Sequence, residues 1–296
     1  MELRVLQYFL AVAREQSISG AAEALHLSQP TLSRQLKDME EEFGKQLMIR
    51  GNRKITLTEE GMILRKRAEE IMELVKKTEN EVMLSDEGIS GDIHIGAGET
   101  DATRLLARAA KCVQSECPLV HYHIASGDGC DVMEQLDKGL LDFGLVLEPI
   151  DISKYNYLRI PFKDIWGVLM RRDSPLAGLE VITPQDLWQQ PLIVSRQVSC
   201  GGHDLLNWLQ KDLEALNIVA TYNLVYNASL MVEEGLGYAV CLDRIINVGG
   251  DSKLCFRPLS PQLDIGMSIV WKKYQLLPKP AEKFLLRLQE MIVNLP

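Results

Sequence analysis

The stretch of residues 17–44 constrains this chain most, because its residue types open and close two short helices around a turn. Ser17 and Ser19 suit the N-cap of a helix over 20–25, in which Ala21, Ala22 and Ala24 permit close packing against a neighbour. His26-Leu27 supplies the turn. Ser28 then caps a longer helix with Pro30 in its first turn, where a missing N–H costs nothing, and the pattern runs to about Phe43 before Gly44 ends it. A further helix over 2–14 precedes the pair, with Leu3, Leu6, Leu10 and Ala13 at helical spacing and Val5 and Phe9 widening the apolar face. Two helices across a tight turn, the second opening on polar residues, make the geometry of a helix-turn-helix that reads base edges.

After Gly44, Gln46-Leu47-Met48-Ile49-Arg50 and Ile55-Thr56-Leu57 read as strands around the basic tip Gly51-Asn52-Arg53-Lys54, which makes a wing. The candidate DNA-reading set is Ser28, Gln29, Pro30, Thr31, Ser33, Arg34, Gln35 and Lys37 with Arg50, Arg53 and Lys54 from the wing. Within it Gln29, Thr31 and Arg34 are expected to approach bases, while Ser33, Lys37 and the wing cations are expected to hold phosphates. Thr58 caps a long helix whose first turn carries Glu59 and Glu60, where the macrodipole favours acids. Leu64, Ala68, Ile71, Val75 and Val82 follow at alternating steps of three and four, with Thr78 as the polar exception. Such a seam on a rod of about 42 Å predicts a dimerisation helix. Gly88, Ser90 and Gly91 end it.

Charge sharpens this division. The net charge of −9 argues at first against a nucleic-acid partner, since phosphate binding wants a basic surface. The acid is unevenly placed: residues 1–57 carry eight Lys/Arg against seven Asp/Glu, whereas residues 58–296 carry 24 against 34. Six scattered cysteines form neither a CxxC pair nor a finger spacing, so no zinc site or disulfide framework is expected from them. No apolar run has the length of a membrane span, and Met1-Glu2-Leu3-Arg4 lacks a secretory signature, so a cytoplasmic protein is expected.

From Gly91 the periodicity changes. Strands at 92–96, 120–125 and 142–147 alternate with helices at 102–113 and 132–138, and the pattern restarts with strands at 166–170, 192–195 and 220–225 and helices at 204–216 and 230–234. Alternation of this kind predicts two α/β units with largely parallel sheets and ligands at the strands' C-terminal ends. A last strand at 266–271 and a helix at 281–293 are expected to return to the first unit.

The N-terminal block resembles the LysR-type transcriptional regulators through Phe9, Ser19-Gly20-Ala21-Ala22, Leu27-Ser28-Gln29-Pro30-Thr31-Leu32-Ser33-Arg34-Gln35-Leu36, Glu40, Gly44 and Leu57-Thr58-Glu59-Glu60-Gly61. Weaker likeness continues in Gly91 to Gly96, in Leu136 to Asp142 and in Val232 to Val240. Met48, where the family usually has Phe, and Leu242, where Pro is common, depart from the pattern. The resemblance implies a winged helix-turn-helix (1–58), a linker helix for dimerisation (59–87) and an effector-binding domain (91–296) similar to periplasmic binding proteins. Lobe I would take about 91–161 and 267–296, and lobe II about 162–266. It also implies a homodimer or homotetramer on double-stranded promoter DNA, working with RNA polymerase, a small-molecule co-inducer, and no enzymatic activity or cofactor.

Residues at strand ends nominate the effector site. Gly98, Thr100 and Ser126 follow strands of the first unit, Ser195 and Arg196 end a strand of the second, and Tyr226 and Asn227 are expected to close the far side. A carboxylate effector would meet the helix N-terminus at Thr100 and a two-point clamp from Arg196, although Glu99, Asp101 and Asp128 nearby leave room for an amine. Cys200, with His203 near it, supports a redox-sensing alternative within the same family, for which no resolving cysteine stands close in sequence. His121 and His123 share one strand face and suggest a chelate, but the sequence offers no evident third ligand, so no metal is expected. Gly96-Ala97-Gly98 falls short of a phosphate loop because Asp101 occupies the last glycine position. No nucleophile with its base is evident, which disfavours an enzyme.

Overall fold

The computed structural model describes residues 1–51, 54–83, 89–197 and 203–294. The chain divides after Met83 into two compact units.

In the first unit α1 (Leu3–Glu15), α2 (Ile18–Ala24) and α3 (Gln29–Phe43) precede the wing strands β1 (Met48–Arg50) and β2 (Ile55–Leu57) and the long α4 (Glu59–Met83). The caps lie close to where residue chemistry puts them. Ser17 Oγ accepts from the Gly20 N–H at 3.2 Å, Ser28 Oγ accepts from the Thr31 N–H at 3.3 Å, and Gly44 ends α3 at φ +62°. Phe9, Val12, Leu32, Leu36 and Met39 meet in a core that Leu47, Met48 and Ile55 extend under the wing. Thr58 donates to the Gln46 carbonyl at 2.8 Å and accepts from the Gly61 N–H at 3.0 Å, which joins the start of α4 to the wing. Gly61 is required there, because a Cβ would lie 2.0 Å from the Leu47 carbonyl oxygen.

The seam on α4 needs correction. Its first half packs on α1, with Ala68 fully buried there and half-buried Leu64 on the flank of the core, so Ala68 serves its own domain rather than a partner. Ile71 and Val75 are half-buried. Among the described residues, Met62, Ile63, Leu74 and Val82 are the exposed apolar side chains of the helix.

The second unit has two sheets. The first orders its strands β4-β3-β5-β13-β6 and comprises β3 (Gly91–Ala97), β4 (Val120–Ser126), β5 (Phe143–Leu147), β6 (Tyr155–Arg159) and β13 (Met267–Lys272). Helices α5 (Thr103–Glu116) and α10 (Lys279–Val293) cover one face around Phe143 and Phe284, and α6 (Gly129–Asp137) covers the other around Val132 and Leu136. The second sheet orders β11-β7-β10-β8-β9, with β12 (Asp264–Ile265) beside β7. It comprises β7 (Asp164–Arg171), β8 (Leu192–Ser195), β9 (Ile218–Tyr222), β10 (Tyr238–Leu242) and β11 (Leu254–Pro258), with α7 (Pro184–Leu187), α8 (His203–Leu209) and α9 (Val225–Glu233).

Three expectations change. The sheets are mixed, because β13 runs antiparallel to β5 and β6, and β7 runs antiparallel to β10 and β11. Helix α8 stops at Leu209, where Gln210 turns to φ +56°. Helix α9 begins at Val225, so Tyr226 and Asn227 sit in its first turn rather than behind a strand end. The chain leaves lobe I after β6 and re-enters at β13, and these crossings lie side by side. The Ile160 N–H donates to the Met267 carbonyl at 2.9 Å, and Asp264 pairs with Ile165.

Candidate DNA interface and interlobe cleft

The reading helix α3 presents one apolar and one polar face. Leu32, Leu36 and Met39 are buried, while Gln29, Pro30, Thr31, Arg34 and Lys37 are exposed and Ser33 and Gln35 are half-buried. Ser28 Oγ and Thr31 Oγ1 lie 2.7 Å apart at the helix start. Arg34 stands 4.0 Å from Asp38 and Lys37 3.2 Å from Glu41, both as solvated pairs one turn apart. Such pairs contribute only about 0.3–0.5 kcal/mol, so redirecting either cation to DNA costs little.

The wing is fixed beside this face. A single oxygen of the Glu40 carboxylate accepts the N–H groups of Leu47 at 2.7 Å and Met48 at 3.1 Å, tying the first wing strand to α3. Arg50 donates to Ser33 Oγ at 3.3 Å, and the Gly51 N–H donates to the Lys54 carbonyl at 3.1 Å beneath the tip. Lys54 is exposed, and Arg53 lies outside the described residues.

The residues nominated for the effector are not brought together. Gly98, Thr100 and Ser126 line an open depression of about 380 Å³ with Arg104 and Arg244. Ser195 lines a separate cavity of about 230 Å³ between the lobes, with Cys130, Leu147 and Ile150 from one side and Trp166, Gln197 and Asp204 from the other. Arg196, Tyr226 and Asn227 line neither of them.

Three pairings explain the rearrangement. Thr100 is buried, and its hydroxyl donates to Asp164 at the start of lobe II, so the group assigned to the effector is already engaged. Burial drives the Asp164 carboxyl above the usual carboxylate range, against the opposing effect of that hydrogen bond and of Arg244. Arg196 does make a two-point contact, but with the chain's own Asp128 and Asp131 across the cleft. The carboxylate seated on a helix N-terminus is also the chain's own: Glu99 accepts the Val225 N–H at the start of α9. Partial burial nevertheless raises the Glu99 pKa, outweighing the backbone hydrogen bonds that lower it. Arg244 completes the lobe contact, 3.6 Å from Asp101 and 3.3 Å from Asp164. Sequence reasoning missed Glu99, Asp164 and Arg244 as lobe-joining groups. The acidity of Glu99, Asp101 and Asp128 was the available signal.

A winged helix-turn-helix followed by two α/β lobes around a cleft defines a DNA-binding regulator with a ligand-sensing domain. Residues 3–62 match the bacterial regulatory helix-turn-helix protein, lysR family, and residues 86–292 match the LysR substrate binding domain. The chain therefore belongs to the LysR family of transcription regulators. It is 29% identical over 294 residues to the HTH-type transcriptional regulator BsdA of Bacillus subtilis, covering 96% of this chain and 99% of that protein. It is 28% identical over 299 residues to the Hca operon transcriptional activator HcaR of Escherichia coli, covering 99% of each. Full-length CbnR in complex with its target DNA has the same fold, with a TM-score of 0.76 at 18% identity over 98% of this chain and 99% of that one. Among the described residues no helix is long and apolar enough to cross a membrane.

Proposed function

We propose that this protein reads promoter DNA as a homodimer or homotetramer through Gln29, Thr31 and Arg34, with Lys37, Arg50 and Lys54 on phosphates. The exposed polar row of α3 beside a wing anchored by Glu40 carries this reading. Partner contact falls to the outer half of α4, where Leu74 and Val82 are exposed. The effector occupies the interlobe cavity of about 230 Å³ around Trp166, Ser195 and Gln197, to which both lobes contribute apolar and polar side chains. In this reading the protein acts in the cytoplasm beside RNA polymerase, performs no catalysis and needs no cofactor.

The redox alternative draws on the 29% identity over 201 residues to the E. coli dual regulator OxyR. Cys200 lies outside the described residues. Of the two cysteines that follow it, Cys255 is buried, and burial pushes the Cys241 thiol up to about 12, which keeps it from acting as a thiolate. The effector reading is therefore preferred.

Fluorescence anisotropy with the promoter fragment beside the protein's own gene, set against random duplex, tests the assignment. Arg34→Ala is expected to weaken specific binding by about 1–3 kcal/mol and leave random binding nearly intact. Lys54→Ala is expected to weaken both alike and to lower the salt slope by about 1. Equal losses for Arg34→Ala on the two duplexes would remove it from base reading.

A further inference from the structure

Strand β4 is the outer strand of the lobe I sheet and runs parallel to β3, with Asp92 opposite His121 and His94 opposite His123. Side chains alternate along β3: Ile93 and Ile95 enter the core under α5 and α10, which puts Asp92 and His94 on the opposite face. There the rings of His94 and His123 stack with centroids 4.7 Å apart and planes within 16°. His123 Nε2 lies 3.2 Å from Asp92 Oδ1. One ligand atom from each of Asp92, His94 and His123 falls within 4.8 Å of the others. Asp92 and His94 are half-buried and His123 is exposed, so the cluster has a fixed floor and an open outer side. The backbone of this floor is held from below, because the buried Asp142 carboxylate accepts the backbone N–H of His94 at 2.7 Å.

We propose that Asp92, His94 and His123 form a binding site for a divalent transition-metal ion of the zinc class. Two imidazoles and one carboxylate are a borderline donor set, suited to zinc, nickel or copper and poor for calcium or magnesium, which prefer an all-oxygen shell. Zinc–nitrogen and zinc–oxygen bonds of about 2.0–2.2 Å place tetrahedral ligand atoms roughly 3.4 Å apart. The ligand atoms lie within 4.8 Å of one another, so chelation requires the stacked imidazoles to turn toward a common point. Water fills the fourth position on the open side. Two of the three ligands, invisible when His121 and His123 are read along one strand, come from the parallel neighbour β3, and His121 is not part of the set. A bound ion would staple the outer strand to its neighbour and so favour the folded lobe.

The test uses full-length protein stripped with chelator and kept reduced. Zinc is titrated in competition with a chromophoric chelator, and cobalt is used as a spectroscopic substitute. We expect one ion per chain at low-micromolar affinity or tighter, a tetrahedral cobalt spectrum without a thiolate charge-transfer band, and a higher melting temperature with zinc. His123→Gln and Asp92→Asn should each weaken binding by about tenfold or more and abolish the zinc-dependent shift. Both positions reach solvent, and melting without metal verifies that the variants fold. Absence of binding, a thiolate band, or unchanged affinity in both variants would overturn the site.

Discussion

On α3 the cations Arg34 and Lys37 lean on acids one turn away while their side chains stay 83% and 69% exposed. In the lobed unit, Arg196 engages Asp128, 8% exposed, across the cleft, and Arg244 engages Asp101, 16% exposed, across it and the fully buried Asp164 of its own lobe. Solvated pairs exchange partners at little cost, which suits a surface that must accept phosphates and bases. Desolvated acids are costlier to leave unpaired, although the 45% exposure of Arg196 softens that cost. The reading surface is thus prepared to change partners, while the cleft is latched by its own charges.

Breaking each region should show this contrast in descending size. Ala68→Asp would place an unpaired charge where α4 packs on α1, and we expect a loss of about 3 kcal/mol or more in urea titration. Leu74→Asp, on an exposed position of the same helix, should leave that stability intact and lower the mass seen by light scattering. If Ala68→Asp folds normally and only the assembly dissociates, Ala68 belongs to the partner seam after all.

In the lobed unit, Thr100→Val removes the hydroxyl that serves buried Asp164, at a cost of about 1–3 kcal/mol. A metabolite that stabilises wild type and Thr100→Val equally in a thermal-shift screen binds independently of that hydroxyl. Arg196→Gln should cost less, about 1 kcal/mol or below, because the arginine is 45% exposed. Its clearer effect is a larger radius of gyration in solution scattering as the lobes part.

The smallest effect is on pH dependence. The Glu99 carboxyl is raised above its ordinary value in the folded protein, so the folded state holds a proton that the unfolded state has lost. Stability from this group therefore falls as pH rises from the ordinary carboxylate value through the elevated folded one, and the full cost of the charge remains at neutral pH. Glu99→Gln removes that cost. Its melting temperature relative to wild type should be higher at neutral pH than at the acidic end of this window, and a constant difference would show that Glu99 does not titrate there.

The first unit was legible because its signals are local. Ser17, Ser28, Pro30, Gly44 and Thr58 each act on a backbone group within a few residues, and that chemistry is written along the chain. The cleft was not, because its partners are distant: Thr100 meets Asp164, Glu99 meets Val225, and Arg196 meets Asp128. Strand-end position gave the right neighbourhood, but nothing along the chain records which acid will reach which base. Strands β6 and β11 escaped the α/β alternation for a related reason, since each pairs antiparallel at a sheet edge and follows no crossover helix. The seam on α4 was legible as an apolar stripe while its occupant was not, because periodicity shows that a face needs cover without saying whether α1 or another chain supplies it.

The paired crossings between the lobes have a kinematic consequence. Two strands bonded edge to edge through Ile160 and Met267, and through Asp264 and Ile165, form a flat strap that resists stretching and shear in its own plane. What remains soft is bending about the line across the strap. Bending across the strap is therefore the relative motion of the lobes that strains these pairings least, and whatever fills the cleft would act on that angle.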